Sequence, residues 1–73
     1  MRSLERRFNH IKNSQPFWSD YQCFCRAIAK QKFGEQTIHR WFNKLVDKNE
    51  YSPRDKRCII AHLEKLNKSA EGN

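Results

Sequence analysis

Apolar residues recur at helical spacing in four stretches of this chain. They are Leu4, Phe8 and Ile11; then Tyr21, Phe24, Cys25 and Ile28; then Ile38, Trp41, Phe42 and Leu45; and last Ile59, Ile60, Leu63 and Leu66. Each set falls on one side of a 3.6-residue repeat, and nowhere do apolar and polar residues alternate as in a half-buried strand. The pattern predicts an all-α fold, a compact bundle of about four short helices.

Local signals bound these helices. The first is expected over about Ser3 to Lys12, with an ill-defined start because Arg6, not an acid, stands three after Ser3. Asn13-Ser14-Gln15-Pro16 breaks it, since Pro cannot sit in a helix interior. The second opens on Ser19, with Gln22 three residues on as in a capping box and Asp20 in the first turn. Trp18 is placed to staple against Cys23, and Ala27 and Ala29 allow a close helix approach. This helix is expected to end near Lys32. Phe33-Gly34 is then a short connector, with Gly34 capping the third helix or turning the chain into it. The third helix is expected to reach about Val46, followed by a polar loop, Asp47-Lys48-Asn49-Glu50. The fourth has the strongest start, with Ser52 as cap, Pro53 at the first helical position and Asp55 three after the cap. Residues 1–68 are expected to form one domain and residues 69–73 a frayed tail.

The third helix is the one whose polar side carries chemistry. Opposite Ile38, Trp41, Phe42 and Leu45 lie Glu35, Gln36, His39, Arg40, Asn43 and Lys44, almost all able to hydrogen-bond. Arg pairs bidentately with guanine, Gln or Asn with adenine, and Glu accepts from cytosine. Composition sharpens this picture. Fifteen Lys and Arg stand against eight Asp and Glu among 73 residues, a net charge of +7, with an isoelectric point near 9.7. That balance is the electrostatic footprint of a nucleic-acid binder. The bland alternatives are a solvated basic surface, or a patch for an acidic protein or anionic lipid.

Other classes are set aside on composition. No apolar stretch approaches the roughly 20 residues of a membrane span. Met1 to Arg7 has no apolar core of a secretory signal, and three cysteines are an odd number for a disulfide scaffold. A cytoplasmic protein is expected. Cys58 and His62 are helix neighbours, but Cys23 and Cys25 point about 200° apart on a helix and there is no Cys-x-x-Cys, so no metal site is expected. No phosphate loop, nucleophile elbow or metal-protease motif is present, so neither an enzyme nor a cofactor is expected.

The second and third helices, joined by a short turn, have the outline of a helix-turn-helix. Ala27-Ile28-Ala29 through Gln36-Thr37-Ile38-His39-Arg40-Trp41-Phe42 resembles the helix-turn-helix of small bacterial repressors and homeodomain-like proteins. In these a small-residue helix precedes a tight turn and the next helix opens on Thr-Val-Ser-Arg-Trp-like residues. The departures are Lys32, where repressors place a turn Gly, and Gly34, where Ser commonly caps the recognition helix. The resemblance implies duplex DNA as partner. Ile38, Trp41 and Leu45 would then be core, and Glu35, Gln36, His39, Arg40 and Asn43 would face the major groove. Phosphate clamps would come from Lys30, Lys32, Lys44, Lys48, Arg54, Lys56 and Arg57. A second resemblance, on Tyr51-Ser52-Pro53-Arg54 opening an apolar-periodic helix, is to the core-binding helical domain of tyrosine recombinases. That is also a DNA-clasping module, and it differs on which helix reads.

The leading expectation is thus sequence-related duplex DNA binding through residues 35–46, as a small regulator or accessory factor. A helical adaptor for an acidic protein is the main alternative, and a helical RNA binder the third. The first helix is free to pack internally or to pair with a second copy as a homodimer.

Overall fold

The computed structural model describes residues 3–29 and 31–70, which form four α-helices and their connections, with no strand among the described residues. The helices are α1 (Leu4–Ser14), α2 (Asp20–Ala29), α3 (Glu35–Phe42) and α4 (Pro53–Ser69). A π-helical turn, Asn43–Asp47, prolongs α3. The chain is an all-α bundle, as its periodicity implies.

The helix starts have local causes. Ser3 Oγ accepts the Arg6 N–H at 3.2 Å, so α1 has a defined cap although the reciprocal half of a capping box is missing. It continues to Ser14, past the expected end at Lys12, and leaves helical space only at Gln15, the residue that Pro16 constrains. At α2 both halves of the capping box form. The Gln22 N–H donates to Ser19 Oγ at 3.1 Å and the Ser19 N–H to Gln22 Oε1 at 2.9 Å. This helix ends at Ala29, short of the expected Lys32. Ser52 caps α4 by accepting the Asp55 N–H at 3.1 Å, with Pro53 at the first position.

An aromatic chain runs through the core. Phe8 of α1 meets Phe24 of α2 edge-on at 6.4 Å, Phe24 meets Phe42 of α3 at 6.0 Å, and Phe42 lies 6.0 Å from Tyr51. Leu4, Cys23, Ala27, Ile28, Ile38, Val46 and Leu63 complete it. The central helix is α2, which packs against α1 on one side and α4 on the other; α1 therefore spends its apolar face inside the molecule.

The buried side of α2 is Cys23, Phe24, Ala27 and Ile28, with Tyr21 and Cys25 only half-buried. That rotation corrects the expected stripe. Ala27 lets α1 come close enough for Arg7 Nε to donate to its carbonyl at 3.1 Å. Tyr21 sits at the margin, where its hydroxyl lies 2.6 Å from His62 Nδ1 and so keeps a polar partner. Burial, with Cys25 beside it, pushes the Tyr21 hydroxyl up to about 12. Burial also raises the Cys23 and Cys25 thiols above the ordinary value, which leaves both protonated and unreactive near neutral pH.

Two side chains fix the connections around α3. Asn67 of α4 is buried and clasps the backbone of Phe33, accepting its N–H at 2.9 Å and donating to its carbonyl at 2.7 Å. Asp47, expected in a polar loop, is instead buried. It accepts the Tyr51 N–H at 3.2 Å and pairs with Lys56 at 2.7 Å. The Lys56 ammonium holds its carboxyl below the usual carboxylate range, and the backbone bond from Tyr51 adds to that effect. Helix α4 extends to Ser69, and Ala70 is buried, its N–H donating to the Asn67 carbonyl at 3.2 Å. The folded unit thus runs beyond the expected boundary at 68. Of the expected tail, residues 71–73 lie outside the described residues.

Candidate nucleic-acid interface

Helix α3 is pinned from one side. Ile38 and Phe42 are fully buried, whereas Trp41 and Leu45, expected in the core, are half-buried. Leu45 falls within the π turn, which widens the helix and displaces its register relative to a straight α-helix, whereas Trp41 precedes that turn and lies at the margin of the core. Trp41 then carries the Lys44 ammonium 5.0 Å above its ring, a contact that draws this lysine along the flank of the helix.

On the other side Glu35, Gln36, His39, Arg40, Asn43 and Lys44 are all exposed. The edge nearest α4 is not free of the protein's own groups. His39 Nε2 lies 2.9 Å from Glu64 Oε2, so α4 places a carboxylate beside the row of polar side chains. His39 and Asn43 share a groove with Lys56, Arg57, Ile60 and Glu64. The fold therefore joins the polar side of α3 to the first turns of α4.

The predicted phosphate clamps divide into groups. Arg54 and Arg57 are exposed on the first turns of α4, with no ion pair among the described residues. Lys56, between them, is committed to Asp47. Lys48 is exposed in the left-handed turn after the π segment, with φ 44°. Lys32 belongs to a different flank, lining a groove with Phe33, Thr37 and Trp41. Lys30 lies outside the described residues. One sector of the candidate set is thus assembled on α3 and the start of α4, and Lys32 is set apart from it.

Glu64 and Asp47 are the residues of this sector that sequence reasoning passed over. Glu64 meets the His39 ring across 25 residues and Asp47 pairs with the Lys56 ammonium across 9, as their numbers show. Nothing in helical periodicity brings position 64 to position 39.

The cysteines are dispersed in character: Cys23 is buried, Cys25 half-buried and Cys58 exposed. Among the described residues no three His, Cys, Asp or Glu side chains gather as a metal ion would require, and no helix is long and apolar enough to cross a membrane. Comparison of the chain with protein-family models, with curated proteins and with solved structures finds no match.

Proposed function

We propose that the protein binds duplex DNA, with α3 presented to the major groove and the first turns of α4 set against the backbone. The observation that carries this is the sidedness of α3, whose hydrogen-bonding side chains are exposed while Ile38 and Phe42 are fully buried. Arg40 and Gln36 have the geometry-demanding groups suited to base edges. Arg54 and Arg57 supply charge with no ion-pair partner among the described residues and suit phosphates. The resemblance of α2 and α3 to a helix-turn-helix pair points the same way, although Ala29 and Glu35 stand further apart in the chain than a turn of three or four residues would place them. Full burial of Phe42 removes one of the aromatic anchors that an adaptor for an acidic protein would expose.

The test is binding to a randomised duplex pool and to matched RNA, at low and at higher salt. Duplex affinity should fall steeply as salt rises, because phosphate neutralisation releases counterions. Arg40→Ala should cost about 1–3 kcal/mol and relax preference at one position, while Arg57→Ala should weaken all sequences alike. Retention of full duplex binding by both variants, or tighter binding to RNA or to an acidic polypeptide, would overturn the proposal.

A further inference from the structure

A second cationic feature lies between α1 and α2, and none of its lining residues belongs to α3 or α4. It is an open cleft of about 580 Å³, within the range of small-molecule sites. Arg7, His10, Ser14, Gln15, Trp18 and Arg26 line it together with the apolar Ile11. Among the described residues no carboxylate lines it. The acid on the adjoining first turn of α2, Asp20, is engaged by Lys12 at 2.6 Å, and neither arginine has an ion pair among the described residues.

The arginines are held in place. Arg7 Nε is tied to the Ala27 carbonyl at 3.1 Å, which orients the guanidinium, and its terminal nitrogens have no bond among the described residues. Arg26 lies over the Trp18 ring, its central carbon 5.7 Å from the centroid. That contact holds the indole and the guanidinium together in the lining of the cleft. Trp18 is positioned in turn by its backbone N–H, which donates to the Gln15 carbonyl at 3.1 Å. Beside it Phe17 is 98% exposed, the one large apolar side chain left wholly in solvent among the described residues.

We propose that this cleft binds a nucleoside phosphate. Arg7, Arg26 and His10 would take the phosphate. The base would lie against Trp18, its edge within reach of the Ser14 hydroxyl and Gln15 amide. The division of labour follows from the chemistry present: forked cations recognise phosphate oxygens, and an indole offers a sequence-tolerant stacking surface to any base. A lone inorganic anion would have no use for the indole, and an acidic peptide has no planar ring to stack on it. The nucleotide has two sources, a free mononucleotide or an unpaired residue of a strand, for which Phe17 offers a neighbouring base a second platform.

The test is an amide-resolved NMR titration of the full chain with adenosine 5′-monophosphate, inorganic phosphate, a short oligodeoxyadenylate and a poly-glutamate peptide. Saturable shifts of the Trp18 indole N–H and of the His10 and Gln15 amides are expected with the mononucleotide, the oligonucleotide or both. Response to the mononucleotide assigns a free ligand, and response to the oligonucleotide alone assigns a strand. Arg26→Gln should weaken binding about tenfold, and His10→Gln by a smaller factor, whereas Arg6→Gln on the same helix should change it less than about twofold. The proposal is overturned if neither nucleotide probe moves these signals, or if phosphate or poly-glutamate moves them as strongly. It is equally overturned if Arg6→Gln weakens binding as much as Arg26→Gln, because the effect would then be net charge and not a site.

Discussion

The groove between α3 and α4 and the cleft between α1 and α2 both carry cations, and they differ in what stands beside them. In the first, His39 faces Glu64 at 2.9 Å and Lys56 is held by Asp47 at 2.7 Å. In the second, no carboxylate is among the described lining residues, and Asp20 on the adjoining turn is engaged by Lys12. A net charge of +7 is blind to this difference. Exposed polar contacts such as His39 with Glu64 contribute little to stability, on the order of 0–1 kcal/mol. Their larger consequence is to place negative charge where a phosphate would approach, so the availability of a cation matters more than the count.

Both regions depend on one shared element, and its removal should abolish them together. Phe24 links α1 to α3 through its edge contacts with Phe8 and Phe42. Phe24→Ala should cost about 3–5 kcal/mol, comparable with the roughly 5 kcal/mol total of a small domain. Urea denaturation followed by circular dichroism should show no folded baseline. Phe17→Ala removes the same group from a residue 98% exposed and should move the midpoint by less than about 0.5 kcal/mol. Equal losses from the two variants would contradict the assignment of Phe24 as the hinge of the core.

Acid should act first on the α3–α4 side. Because Lys56 lowers the folded-state pKa of Asp47 below its ordinary value, the carboxylate contributes stability that is present above about pH 4. It is lost as pH falls toward and through the lowered folded value, where the unfolded chain binds the proton more readily than the native one. The melting temperature should therefore drop between about pH 5 and pH 3, and drop less in Lys56→Gln. Identical pH profiles for the two chains would mean that the Asp47 pair carries none of the dependence.

A smaller effect tests whether Glu64 restrains α3. Glu64→Gln should leave stability within about 1 kcal/mol and raise duplex affinity about two- to fivefold at low salt by removing a charge that repels phosphate. A fall in affinity, read by fluorescence anisotropy, would instead assign Glu64 the task of orienting His39 toward its target.

What could be read beforehand follows the range of each interaction. Ser19 with Gln22 and Ser52 with Asp55 are three residues apart, so their caps were legible as local motifs. The exposed row from Glu35 to Lys44 was legible as well, because one helical period fixes which side chains share a side. The buried side of α2 was misjudged because two neighbours pack against it, and the approach of α1 at Ala27 turns Tyr21 and Cys25 to the margin. Asn67 binding Phe33, Glu64 meeting His39 and Asp47 turning inward depend on how α4 returns across α3, a tertiary fact with no periodic signature. Phe17, in the turn that follows α1, is the large apolar residue that no helical period includes, and it lies in solvent.

The connector into α3 provides the finest contrast with the rest of the fold. Gly34 occupies the cap position with φ −68° and ψ 148°, an extended conformation open to any residue, and supplies no side-chain bond to the helix. A Cβ built there meets only Thr37 Oγ1, at an ordinary 3.8 Å. Neither conformational freedom nor close packing therefore requires glycine. Gly34→Ser would add a hydroxyl able to accept an N–H of the first turn, as Ser3, Ser19 and Ser52 do at the other helices. It would also restrict the unfolded chain. The two effects together should raise stability by about 0.5–1 kcal/mol, measured as a higher urea midpoint at unchanged slope. A decrease would mean that α3 needs its first turn uncapped, with those N–H groups left for a ligand.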